Sequence, residues 1–361
     1  MSTISLCMIV KNEGAYLERC LTSAASVVDE IIIADTGSTD ETREIAKSFH
    51  ARITDFQWID DFSAARNFAF AQATKDYILW LDADDVLLEE DLEKLAKLKK
   101  ELNDTIDSVT MFYHYAFDEF GNVTTSLRRN RLVKRSRQFQ WMGPVHEYLD
   151  VKGNIIHSDI VVTHTRKHAH TGRNLTIFDK RFAGGETFSP RDLYYYGNEL
   201  MDNRHYEKAA EIYETFMAGR NGWVEDILSA CYRLSEIYTL QNQDEKAFRA
   251  AIFSFDYDSP RAELCCRLGL LFLKQQQWEQ AAYWFMLAAE MEKPADHLGF
   301  IQEACWTWFP HLQLCICYYH LGDFIQSHKH NELARKYRPD DLHVLHNKKL
   351  LEGILRSEVS L

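Results

Sequence analysis

Up to about residue 115, short apolar runs alternate with amphipathic stretches. Residues 4–10, 30–34 and 77–81 are near-continuous in apolar side chains, the pattern of strands buried on both faces, and a further strand is expected near 51–56. Between them, residues 13–26, 39–49 and 63–74 space their apolar positions at helical period. This alternation predicts a parallel sheet with helices on both faces. Sheets of that kind gather ligands at the carboxyl ends of their strands. Residues 107–165 change style. Strand-like runs at 109–117, 145–151 and 155–163, with turn signals at Phe120-Gly121-Asn122 and Lys152-Gly153-Asn154, predict an antiparallel appendage to the sheet.

From about residue 190 every stretch has helical period, and the pattern repeats. EKAAEIYETFMA (207–218), EKAFRAAIFSFDYDSP (245–260), EQAAYWFMLAAEMEKP (279–294) and QSHKHNELARKYRPDD (326–341) share a grammar, and Pro260 and Pro294 stand 34 residues apart (260 to 294). Tyr206, Trp278 and Phe324 are each followed three positions later by a small residue, Ala209, Ala281 and Ser327. These stretches resemble tetratricopeptide (TPR) repeats, with an insertion around residues 296–307 lengthening the last interval. Stacked helix pairs of this sort suit an extended peptide, the competing reading being a plain helical bundle. The expected organisation is an α/β domain over 1–185 followed by an all-α, TPR-like repeat domain over 186–361.

Composition agrees with two domains. The chain has 361 residues, 46% of them hydrophobic, enough for two cores of ordinary size. A formal net charge of −13 argues against a nucleic-acid binder. No run of about 18 apolar residues predicts a transmembrane segment, and MSTISLCMIVKNE lacks the basic and apolar regions of a secretory signal. The eight cysteines are scattered, without a CxxC pair, as expected of reduced thiols in a cytoplasmic protein.

Chemistry concentrates where strands end. YILWLDADDV (77–86) runs from a greasy segment into Asp82, Asp84 and Asp85, three like charges that call for something positive. Alternate carboxylates on an extended segment would face one way, and a few carboxylates with a diphosphate commonly hold Mg²⁺. After the second strand comes DTGSTDET (35–42): Asp35 at the strand end, Gly37 for a turn, and Ser38 with Glu41 at capping-box spacing. Each motif alone also fits an ordinary strand–turn–helix junction. Their occurrence at two strand ends of one sheet favours a nucleotide site.

Three blocks in order, ISLCMIVKNEGAYLERCL, VDEIIIADTGSTDET and FSAARNFAFAQATKDYILWLDADD, resemble the family 2 glycosyltransferases with the nucleotide-diphospho-sugar transferase (GT-A) fold. The resemblance implies that Asp35 contacts uridine, that Arg66 and Asn67 lie near the nucleotide, and that the backbone of Val10, Lys11, Asn12 and Glu13 lines the base pocket. It also implies that Asp82 with Ala83 backs the site and that Asp84, with Asp85 nearby, meets the metal, Mg²⁺ or Mn²⁺. MGPVHEYL (142–149) matches a G-x-x-H-E element of family members with repeat tails, close to sugar and acceptor. An inverting transfer needs a base for the acceptor proton, so Glu147 is the first candidate and His146 the second. A plain strand pair, with Glu147 facing solvent, is the alternative.

His164, His168 and His170 with Arg166, Lys167 and Arg173 make a basic loop. His164 is a candidate for completing the metal shell. The loop's cations could instead screen the leaving diphosphate, and a three-histidine zinc site is compatible with the spacing. RRNRLVKRSR (128–137) carries six basic residues and reads as a phosphate or anionic-acceptor patch, or as a solvated hairpin face. The chain is similar to glycosyltransferases that modify bacteriocin precursors on Cys or Ser. That similarity implies hexose transfer from a UDP-sugar, UDP-glucose or UDP-GlcNAc, to a peptide held by the repeats. A transferase of cell-envelope polysaccharide or lipid-linked glycan, with repeats for docking or for pairing two copies as a homodimer, is the second reading. A scaffold with a dead transferase domain is the third, and the intact aspartates speak against it.

Overall fold

The computed structural model describes residues 2–165, 172–293, 299 and 301–359. Arg166, Lys167, His168, His170 and Pro294, all named above, lie outside these. The chain divides into two compact units, the first comprising Met1–Tyr115 with Leu127–Glu186, the second Ala116–Ser126 with Thr187–Leu361.

In the first unit, alternate side chains of strand β1 (Ile4–Val10) serve opposite faces of a sheet, and both faces are covered. Ile4, Leu6, Met8 and Val10 join one core cluster with Leu17, Leu21, Leu79 and Leu95. Cys7 joins the other, with Ile32, Ala69, Trp80 and Trp141. Chain order is β1, α1 (Leu17–Ala24), β2 (Glu30–Asp35), α2 (Thr42–Ser48), β3 (Arg52–Asp55), α3 (Phe62–Ala71) and β4 (Tyr77–Trp80). There follow β5 (Asp85–Val86), α4 (Glu89–Glu101), β6 (Ser108–Phe117), β7 (Val123–Lys134), β8 (Trp141–Met142), β9 (Tyr148–Leu149), β10 (Ile155–His164) and α5 (Arg173–Ala183). Sheet order is β3-β2-β1-β4-β7-β6-β10-β5. The first four strands are parallel, β7 enters antiparallel to β4, and β10 lies parallel to β6. Strand order reverses between β1 and β4, so a crevice opens at the carboxyl ends of β1, β2 and β4.

Three expectations need correction here. The strand expected over 145–151 is only β9, paired with β8 in a separate two-stranded ribbon. Gly143, with φ near +90°, and His146, also at positive φ, put a turn where the strand was expected. Ser38 and Glu41 do not form a capping box. Helix α2 starts at Thr42, and the Ser38 hydroxyl donates to Asp35 instead. The basic stretch 128–137 is mostly β7, a strand between two others in the middle of the sheet. Among and beside its basic residues, Leu127, Leu132 and Val133 lie in the core, Leu127 and Leu132 in one cluster and Val133 in the other.

The second unit pairs α6 (Pro190–Asp202) with α7 (Tyr206–Ala218), α8 (Val224–Leu240) with α9 (Asp244–Phe253), and α10 (Ala262–Lys274) with α11 (Trp278–Glu290). After β11 (Ile301–Gln302) come α12 (Phe309–His320), α13 (Phe324–Arg335) and α14 (Leu342–Val359). The repeat is physical as well as statistical. A Cβ on Gly197 would come within 2.6 Å of the Tyr213 ring, and one on Gly269 within 2.7 Å of Phe285. Both pairs keep one spacing of 72 residues (197 to 269, 213 to 285), the spacing that also separates Ala209 from Ala281. Ala209, Ala281 and Ser327, the small positions of the sequence pattern, are fully buried. The tip of the β6–β7 hairpin packs here, with Ser126 facing Ile301 and its hydroxyl donating to Glu303. All eight cysteines are buried free thiols. No helix among the described residues is long and apolar enough to cross a membrane.

Candidate active site

The β1 and β2 ends are aligned by register, Val10 opposite Asp35. Asp35, buried, accepts from the Ser38 amide at 3.1 Å and hydroxyl at 2.5 Å, and its other oxygen pairs with Arg43 at 2.7 Å. Asn12 adopts positive φ, donates its amide N–H to the Ser38 hydroxyl and accepts from the Thr39 amide at 2.8 Å. The Glu13 amide donates to the Thr42 hydroxyl at 2.7 Å. The Val10 carbonyl accepts from the Thr36 amide and hydroxyl. The loop after β1 is thus tied to the DTGSTDET loop by hydrogen bonds from both sides, which fixes the rim of the crevice beside Asp35.

At the end of β4 the chain turns rather than running on extended, since the Asp85 amide donates back to the Asp82 carbonyl at 3.0 Å. The three aspartates therefore find different partners, contrary to the expectation that Asp82 and Asp84 face one way. Asp82 pairs with Arg66 at 2.7 Å. Asp85, fully buried, pairs with the equally buried Arg131 at 2.9 Å. Asp84 is buried beside His164. Pairing of β5 with β10 sets His164 opposite Asp85, and Nδ1 of His164 lies 3.6 Å from an oxygen of each of Asp84 and Asp85. The Tyr113 hydroxyl, 2.9 Å from the same nitrogen, holds the ring. Asp84, Asp85 and His164 offer ligand atoms within 4.8 Å of one another, and Asp85 Oδ1 is a buried oxygen without a hydrogen-bond partner among the described residues. Two carboxylates beside an imidazole make a donor set that fits a divalent cation such as Mg²⁺ or Mn²⁺. Between Asp82 and Asp84, Ala83 is buried in the core.

Arg66, buried on α3, links this end to the G-x-x-H-E element. Its Nη2 donates to Asp82 and its Nε to Glu147 Oε1 at 2.5 Å, while its guanidinium carbon stands 5.0 Å from the Trp80 ring centroid and 4.8 Å from that of Trp141. Burial opposes the charge on Arg66, but Asp82 and Glu147 outweigh it and hold the guanidinium firmly protonated. Burial likewise works against ionised Asp82, yet Arg66, with Arg131 and Arg129, brings its pKa down to about 2. Glu147 is 10% exposed, so it does not face solvent as the strand-pair alternative required. Asn67 has a different task from its neighbour. Its side-chain amide donates to the Trp141 carbonyl at 3.0 Å and accepts from the Trp141 amide at 2.8 Å, pinning β8. The Phe62 amide donates to the Pro144 carbonyl, which ties the start of α3 to the same turn. His146 stacks near Phe178 at 6.4 Å between centroids.

Residues 5–161 match the family model described as glycosyl transferase family 2. This region, less than half of the chain, is thus similar to the family 2 glycosyltransferases. The chain's relatives include a TPR repeat-containing protein of Synechococcus elongatus, 41% identical over 150 residues that make up 42% of this chain and 36% of that one. This chain thus spans about a third of that relative's length. The SPbeta prophage-derived glycosyltransferase SunS of Bacillus subtilis is 26% identical over 300 residues, 73% of this chain and 69% of its own. Among solved structures, glucosyl-3-phosphoglycerate synthase from Mycobacterium tuberculosis in complex with Mn²⁺, UDP and glucosyl-3-phosphoglycerate aligns over 52% of this chain and 82% of that one. Its sequence identity is 15% and its TM-score 0.35.

In the first unit the arginines of 128–137 are the residues whose surroundings the sequence reading misplaced. Arg128 and Arg131 are buried, Arg129 is half-buried, and Arg135 and Arg137 beyond the strand are exposed. Arg131 is fully buried with its guanidinium 3.9 Å from the Trp80 ring centroid and 4.6 Å from that of Tyr113. Arg128 donates to the Ser158 carbonyl and stacks on Phe112, and Arg137 pairs with Asp107. The positive charge that DADD calls for is therefore partly internal. Arg66 and Arg131 answer Asp82 and Asp85, and Asp84 lies beside His164.

Proposed function

We propose that this protein transfers a hexose, with inversion, from a UDP-sugar to a Cys or Ser side chain of a peptide gripped by its helical repeats. The observation that carries the reading is the placement, at the end of β4, of the Asp84–Asp85–His164 cluster next to the Asp82–Arg66–Glu147 chain. Asp84 and His164, helped by Asp85 Oδ1, would hold Mg²⁺ or Mn²⁺, which when bound supplies charge neutralisation for a diphosphate. Asp35 and the tied loop of Val10, Asn12 and Glu13 line the crevice at the switch point, where a uridine fits. Arg66 clamps Glu147 from one side and so fixes where its carboxylate points. In that orientation Glu147 takes the acceptor proton as the new bond forms at the anomeric carbon, and the leaving UDP keeps the electron pair of the broken bond. The peptide acceptor is supported by the repeat unit and by the two-unit span shared with SunS.

The test is UDP release by the full chain across a panel of UDP-sugars with Mn²⁺, then with EDTA. The expected result is slow hydrolysis of one donor, abolished by EDTA and restored by added Mn²⁺. No release with any donor, together with no UDP-dependent rise in melting temperature, contradicts the reading.

A further inference from the structure

We propose that Arg129 binds the diphosphate of the donor and holds it as the leaving group, an inference that rests on the UDP-sugar reading above. The antiparallel register of Leu79 with Leu132, continued along β7, brings Arg129 level with Asp82, just past the end of β4. Its guanidinium carbon lies 5.8 Å from the Trp80 ring centroid and 5.4 Å from that of Tyr113. Tyr113 in turn touches His164 of the candidate cation cluster. Arg129 thus stands beside the cluster, on the same face of β7 as Arg131.

What distinguishes Arg129 is that, among the described residues, none accepts a hydrogen bond from it. Arg66 is engaged by Asp82 and Glu147, Arg131 by Asp85, Arg43 by Asp35 and Asp55, and Arg128 by the Ser158 carbonyl. Arg129 is half-buried, and among the described residues it makes no hydrogen bond and no ion pair; it has the two ring contacts and a longer-range attraction to Asp82. A guanidinium kept at a cluster of aspartates without pairing to any of them retains five N–H donors for an incoming anion. Its planar fork matches two phosphate oxygens, a fit that a lysine ammonium lacks. As the sugar–oxygen bond breaks, the electron pair stays on the diphosphate, so a fixed cation there gains strength through the transition state.

Calorimetric titration of the full chain with UDP and with uridine, in Mn²⁺, tests this with wild type, Arg129→Met and Arg129→Lys. Arg129→Met is expected to weaken UDP binding about tenfold or more and to leave uridine binding as it was, with Arg129→Lys in between. Equal melting temperatures without ligand separate lost binding from lost fold, and the lysine variant answers if the methionine variant does not fold. Wild-type UDP affinity in Arg129→Met overturns the inference while leaving the UDP-sugar reading intact. So does a defect confined to KM for the acceptor, which would assign the guanidinium to an acidic acceptor group. If the wild type itself binds no UDP, the UDP-sugar reading fails and this inference with it.

Discussion

Replacing Arg131 by methionine is expected to lower the unfolding free energy of the first unit by about 3–5 kcal/mol, because it strands Asp85 as an unpaired buried charge. Both partners are fully buried at 2.9 Å, which is where removal of one member of a pair costs most. Methionine keeps much of the volume between Trp80 and Tyr113, so cavity formation is a minor part of the loss. The double variant Arg131→Met with Asp85→Asn removes the stranded charge and recovers most of the stability. Urea unfolding followed by tryptophan fluorescence checks both, since Trp80 packs on the guanidinium. An unchanged midpoint for Arg131→Met would show that Asp85 finds another counter-charge.

Glu147→Gln should lower kcat by a factor of about 10² to 10⁴, the usual contribution of a positioned base, with little change in donor affinity. The amide is nearly the same shape and still accepts from Arg66 Nε, so the turn at 143–147 and the Arg66–Asp82 pair persist. What it loses is the ability to accept a proton. Rapid-quench single turnovers with saturating donor, alongside UDP binding to the same variant, separate the two effects. If Glu147→Gln turns over normally while His146→Gln does not, the base is His146. A thiol acceptor would blunt the effect, since it ionises more readily than a hydroxyl and needs less help.

The fold was legible where one rule governs a segment. β1, β2 and β4 are mostly apolar because both faces of the sheet are covered, and the Gly–aromatic and small-residue spacings of the helical unit follow from packing that recurs along it. It was least legible in β7. An arginine there is read from sequence as solvent-seeking, yet Arg131 is buried because Asp85, forty-six residues away in sequence (85 to 131), balances its charge. The same non-local pairing hid the division of labour among the three aspartates. Spacing places Asp82, Asp84 and Asp85 together, but only the turn after β4 and the β5–β10 register decide which meets Arg66, which meets His164 and which meets Arg131. Asn67 was legible as part of a motif and not as a strut, since its partner is a backbone strand of two residues.

The central claim is that Asp84 and His164 hold a divalent cation that carries the diphosphate of a nucleotide. Its most direct test is Mn²⁺ binding by the full chain, followed by electron paramagnetic resonance with and without UDP, in wild type and in Asp84→Asn. The account predicts that UDP tightens Mn²⁺ binding sharply, and UDP binding is tightened by Mn²⁺ to the same degree, as linkage demands. In Asp84→Asn that coupling should be lost. Mn²⁺ and UDP binding independently of each other, or coupling that survives in Asp84→Asn, would contradict it.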